Sequence, residues 1–173
     1  PGGTPVVFDE TIEVPDGTPS GPIDCTVEFY ADDTLIGTQT IHVDVDTPPD
    51  CSAAAPSVTT LWPPSHTLVD VTIGGVVDDG TTTVTIDSIF QDEPTNGLGD
   101  GDVAPDGFGV GTDTAQLRSE RSGTADGRVY HVAFTATDDA GQECSGTVSV
   151  SVPKSLGKGG AAVDGGALYD STV

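Results

Sequence analysis

The chain has 173 residues, of which 28 are Asp or Glu and 5 are Lys or Arg, giving a formal charge of −23. Such an acidic surface repels polyanions, which excludes nucleic acid and anionic membrane faces as partners, and its self-repulsion calls for bound divalent cations, high salt or both. Hydrophobic residues make up 35% and aromatics 5%, which suits the thin core of a small β-sandwich and not an enzyme with a deep apolar pocket.

Abundant Thr, Val, Ser and Asp, interrupted by Gly and Pro, favour strands and turns, and hardly any window carries a helical period. No apolar run is long enough to cross a bilayer, so membrane insertion is not expected. A start at Pro1 reads as a mature secreted product or as an expression fragment. Cys25, Cys51 and Cys144 lack metal-type spacing, which points to disulfide use in an oxidising space rather than to zinc. One cysteine is then left over as a buried thiol, a reactive thiol or a bond to another chain.

Residues 1–47 predict three strands, in TPVVFDETIEV, CTVEFYA and TLIGTQTIHVDV, with a turn at Asp32-Asp33. Three strands cannot enclose a core, so this segment is expected to dock elsewhere or to pair with a neighbouring molecule. TPPDC, from Thr47 to Cys51, is a stiff linker. Residues 48–153 then predict strands at Val58–Trp62, His66–Gly74, Thr82–Phe90, Asp113–Arg121, Arg128–Thr137 and Glu143–Val152, the size of one immunoglobulin-type sandwich. HVAFTAT and TVSVSV alternate with the period of half-buried strands. Residues 154–173 turn to Gly and Ala; a tail of this kind is ordered most cheaply by adding to a sheet edge, of its own chain or of the next.

Between two of these strands lies QDEPTNGLGDGDVAPDG, where Asp92, Glu93, Asp100, Asp102 and Asp106 offer the oxygen ligands that Ca²⁺ prefers, on a backbone that Gly folds and Pro stiffens. A solvated acidic turn explains the same residues equally well. His42, His66 and His131 are too scattered for a zinc site, and no nucleophile elbow accompanies the Ser, His and Asp residues, so no catalytic residues are expected. Trp62 between Leu61 and two prolines reads as a core plug or edge cover. Arg118, Arg121 and Arg128 surround Glu120 and are expected to neutralise nearby acids.

The phrases LWPPSHTLVDVTI, DEPTNGLGDGDVAPD, LRSERSGTADGRVY and TATDDAGQECSGTVSVSVP resemble HYR-like and related immunoglobulin-like repeats of bacterial and archaeal secreted surface proteins, over about residues 47–153. The resemblance implies an all-β, immunoglobulin-like Greek-key sandwich, extracellular, adhesive or structural. It also implies a disulfide between Cys51, opening the first strand, and Cys144, opening the last. Six alternating strands would leave those cysteines at opposite ends, farther apart than a disulfide can bridge. A seventh strand is therefore expected at Gly107–Val110, making the first and last strands parallel neighbours.

With that count, Asp92, Glu93, Asp100, Asp102, Glu120 and Asp126 gather at one end, and Asp78, Asp79, Asp138 and Asp139 at the other with Asp46 and Asp50. Strands of about ten residues separate the clusters by roughly 30 Å, so two Ca²⁺ sites or none are expected. Glu120 and Asp138 are similar to the acids of cadherin-like modules. The resulting expectation is a secreted, non-enzymatic subunit of an extracellular filament or surface layer, a homopolymer joined by strand addition and stiffened by calcium. Its donor residues would be Val6, Phe8 and Ile12, or Val163, Leu168 and Val173. The alternative is a monomeric adhesive or carbohydrate-binding module of a larger surface protein.

Overall fold

A computed structural model describes residues 11, 13–15, 17–97, 101 and 103–173. The chain divides into two compact units, Pro1–Thr47 and Pro48–Val173, and among the described residues every regular element is a strand.

In the first unit, β1 (Gly21–Ala31) and β2 (Thr34–Val45) form an antiparallel hairpin. Asp32 and Asp33 make the two-residue turn with φ of 46° and 62°, the left-handed pair that matches strand twist and that Asp tolerates. The expected alternation is present. Ile23, Cys25 and Val27 are half-buried on one face, opposite Val43, Ile41 and Gln39, while Asp24, Thr26 and Glu28 are exposed on the other. Cys25 is a free, half-buried thiol. The first predicted strand falls largely outside the described residues, and Val6, Phe8 and Ile12 fall outside them entirely.

The second unit holds two four-stranded sheets. One contains β3 (Ala55–Pro56), β4 (Leu68–Gly74), β7 (Thr114–Arg118) and β6 (Gly107–Phe108), in that spatial order. The other runs β10 (Tyr169–Asp170), β5 (Thr83–Gln91), β8 (Gly127–Thr137), β9 (Glu143–Pro153). All ladders within these sheets are antiparallel. β8 shows the period of two that its sequence announces: Val132, Phe134 and Ala136 are fully buried and the residues between them half-exposed. Leu61, Val71 and Leu117 meet Ile86, Ile89, Tyr130, Val132, Phe134, Val148 and Val150 in one core, giving a sandwich-like arrangement.

The predicted hidden strand is present as β6. The predicted strand at Val58–Trp62 is instead reduced to a single bridge at Thr60, and the strand β3 precedes it. β3 pairs with β4, and Thr59–Leu61 then crosses to β9, where Leu61 N donates to Ser151 O at 2.8 Å and Ser151 N to Thr59 O at 3.0 Å. The Thr60–Ser151 bridge is parallel, as expected of the first and last strands. Cys51 and Cys144 are disulfide-bonded, with Cα atoms 5.8 Å apart and a sequence separation of 93.

A loop of that length carries about 4 to 5 kcal/mol of closure entropy in the unfolded chain. Reduction, or the Cys51→Ala/Cys144→Ala variant, is expected to lower stability by roughly 2 to 5 kcal/mol, visible as a fall in Tm; a Tm indifferent to strong reductant would contradict it.

Candidate functional site

The most unusual chemistry in the molecule is a set of charged side chains buried at the end of the sandwich where β5 finishes. Arg128 opens β8 on the buried side and is fully enclosed, as are Asp106, just before β6, and Glu120, just after β7. Glu93, two residues beyond β5, is 6% exposed. Arg128 NH1 donates to Asp106 Oδ2 at 2.7 Å and to the Tyr130 hydroxyl at 3.2 Å, and its Nε to Glu93 Oε2 at 3.3 Å. Its NH2 lies 3.9 Å from Glu120 Oε1. The guanidinium thus sits among three carboxylates, in a place where a divalent cation was expected.

Neighbouring groups complete the cage. Arg118 Nε lies 3.3 Å from Asp106 Oδ1 and 3.9 Å from Glu120 Oε2, while its NH1 and NH2 hold the carbonyls of His66 and Pro105 at 3.0 and 2.8 Å. The buried Gln91 donates to Asp106 Oδ2 and to Glu93 O. Tyr130 donates to Arg118 O at 2.8 Å. Burial pushes the Tyr130 phenol well above its ordinary value against the pull of Arg128, so it serves as a neutral donor. Burial opposes the charge on Arg128, but Tyr130, Asp106 and Glu93 more than compensate and hold it protonated. At the mouth, His66 Nδ1 is 2.8 Å from Glu120 Oε2, on a backbone with φ of 61°. That left-handed conformation is uncommon outside Gly, and it turns the ring toward the cluster.

The chain that follows the sandwich closes over the same end. Beyond Pro153 the tail returns along Gly127, whose missing Cβ would come within 2.8 Å of the Ala162 Cβ. Asp164 Oδ1 meets His131 Nε2 at 2.9 Å, and Gly165 N donates to Asp92 Oδ2 at 3.1 Å. β10 then pairs with the free edge of β5: Leu168 N donates to Gln91 O at 3.0 Å and Ser171 N to Ile89 O at 2.9 Å. Ser171 O accepts from both Asp106 N and Gly107 N at 2.8 Å. One residue therefore ties the β5 edge of one sheet to the start of β6 in the other. Asp106 belongs to both systems, its carboxylate to the ion cluster and its N–H to the closing strand.

The acids singled out as calcium ligands are distributed as follows. Glu93 and Glu120 are brought together, with Arg128 between them. Asp92 is a local clamp, Oδ1 accepting from Val129 N at 2.8 Å and Oδ2 from Gly165 N. Asp126 is exposed, and Asp100 and Asp102 lie outside the described residues. At the opposite end, Asp138 is buried and accepts from Gln142 N at 2.7 Å, Asp78 accepts from Gly80 N at 3.2 Å, and the exposed Asp139 flanks Gly80. Among the described residues, no three His, Cys, Asp or Glu side chains converge as a metal site. Of the three clustered arginines, Arg121 departs from expectation: among the described residues it holds the carbonyls of Ser122, Pro153 and Lys154 and not an acid. Of the C-terminal donor residues, Val163, Leu168 and Val173 are largely exposed, and the backbone that carries Leu168 pairs within its own chain.

His66, Gln91, Tyr130 and Ser171 were not anticipated as members of the site. Of these only Tyr130 had a signal in the sequence: it stands in GRVY, two residues after Arg128 and so on the same face of one strand.

A scan of protein-family models, a search of curated proteins and a search of solved structures each return no match.

Burial, partly opposed by His66 and Arg128, raises the pKa of Glu120 above its ordinary value. The folded chain therefore binds this proton more tightly than the unfolded chain does. The associated stability is present below the unfolded value and is lost as pH rises through the folded one. Glu120→Gln removes this titration. Relative to the parent, the variant is expected to gain stability in urea unfolding as pH rises from the ordinary glutamate value, about 4.3, through the higher folded one; a difference independent of pH would contradict the assignment.

Proposed function

We propose that the chain is a non-enzymatic structural or adhesive module of a larger protein exposed to the extracellular space. The observation that carries this reading is the closing strand. Residues Leu168–Ser171 complete the open side of their own sandwich, which makes residues 48–173 a self-contained body presenting faces and ends. The Cys51–Cys144 disulfide is compatible with an oxidising, extracellular location. The strand orders support the immunoglobulin-like Greek key implied by the HYR-like phrases. Two surface depressions, of about 280 and 390 Å³, are open and lined mainly by small and polar residues such as Thr60, Ser151, Thr112 and Thr114. They suit shallow contacts with a partner surface better than enclosure of a substrate.

A second reading, a filament subunit assembled by strand addition and stiffened by calcium, is favoured by the β1–β2 hairpin. It is a two-stranded sheet, too small to enclose a core of its own, and such a sheet gains stability from further strands, which a second chain can supply. Sedimentation of the purified chain at micromolar concentration separates the two. The module reading expects a monomer unaffected by chelator. Fast-sedimenting polymer that chelator disperses would overturn it in favour of the filament.

A further inference from the structure

We infer that residues Ala167–Val173 form an exchangeable closing strand, and that the slot between β5 and β6 accepts the same segment from a second copy of this chain. The inference starts from what holds the segment. Its described partners are almost all main-chain: Leu168 N to Gln91 O, Ser171 N to Ile89 O, and Ser171 O to Asp106 N and Gly107 N. Side-chain anchoring is slight. Ser171 is fully buried, whereas Leu168 is 62%, Tyr169 41% and Val173 73% exposed. Recognition through the backbone depends on an extended segment with a small residue at the buried point, and the neighbouring molecule carries the identical one.

The slot is shaped for that segment. A Cβ at Gly107 would lie 2.9 Å from Ile89 Cγ2 and 3.0 Å from Ser171 Cβ, so the strand fits only because Gly stands there. An empty slot would leave the N–H groups of Asp106 and Gly107 and the edge carbonyls of β5 without these bonds, a cost that favours occupation by any matching strand. Three exposed apolar side chains within six residues give the segment surface to bury against a second molecule, which the cis arrangement leaves in water.

The hinge can be located. The tail is fixed to its own body as far as Asp164, by His131, and Gly165, by Asp92. Gly166, with φ of 91°, starts the free link to Leu168. His131 lies on β8, and β10 lies beyond β5, two strand spacings or about 10 Å away. The four residues from Asp164 to Leu168 span up to about 14 Å, which suffices; without Gly165 and Gly166 the link spans about 7 Å, which does not. In the intact chain the tether keeps the cis strand at an effective concentration in the millimolar range, so exchange is held back at ordinary concentrations.

Deletion of Gly165 and Gly166 from the full chain tests the inference. The shortened chain is expected to sediment with about twice the parent mass at concentrations where the parent is monomeric, and Ser171→Pro, which removes the donor to Ile89, is expected to return it to the monomer. A folded monomer, or a dimer indifferent to Ser171→Pro, would overturn the proposal. Should the shortened chain fail to fold, heavy and light isotopic copies of the unaltered chain mixed at millimolar concentration decide the matter. Mixed dimers in native mass spectrometry that vanish with Ser171→Pro support exchange, and monomers alone refute it. The inference rests on the cis closure that carries the proposed role, but the two fail separately: a strictly monomeric chain refutes exchange and leaves the module reading intact, whereas chelator-sensitive polymer refutes the module.

Discussion

The burial of Arg128 among Glu93, Asp106 and Glu120 is the interaction on which this end of the molecule depends. Three carboxylates enclosed together would repel one another with little water to screen them. Two guanidinium groups, from Arg128 and Arg118, supply fixed positive charge in the middle of that set. Replacing such a group with a neutral side chain would strand buried charge, which costs several kcal/mol where a partner is removed from a buried pair. The chain is strongly acidic overall, and it spends two of its few cations here.

From that point the acidic loop and the tail take their positions. Glu93 fixes the start of the loop by binding Arg128 and the N–H of Ser122, and Asp106 fixes its end. The N–H groups of Asp106 and Gly107 then face Ser171, so the loop presents the donors that the closing strand needs. The far end of the sandwich is organised differently, by the disulfide and by the Asp50–Val77 bridge. A covalent link at one end and an ionic one at the other hold a thin core of Val, Ile and Leu that has few aromatic residues to enlarge it.

Much of this architecture was legible in the sequence because it is periodic. Alternation in HVAFTAT and TVSVSV located β8 and β9 almost to the residue, since one face of each strand must be apolar. The geometric limit on a disulfide demanded an extra strand, and Gly107–Phe108 supplies it. The two-residue β3 was not legible ahead of Thr59–Leu61, because Pro56 reads as a strand breaker and the two short pieces serve different sheets. Addition of the Gly-rich tail to a sheet edge was legible, but not that the edge is β5 of its own chain, because β10 is only two residues long and no local pattern reveals which edge is open. The ion cluster was half legible. Its acids are legible as a group, and so is the neutralising part of Arg118 and Arg128, but not the burial of Arg128 between Glu93 and Asp106, because Arg128 is remote in sequence from Glu93 and alternation within β8 does not show which side chains at its start are enclosed.

The most direct test of the central role of Arg128 is amide hydrogen exchange, comparing the parent with Arg128→Met. If the guanidinium positions both loop and closing strand, the N–H groups of Asp106, Gly107 and Ser171 are expected to lose protection together in the variant while those of the β8–β9 ladder keep theirs. Unchanged protection at Asp106, Gly107 and Ser171 in a folded variant would contradict that role.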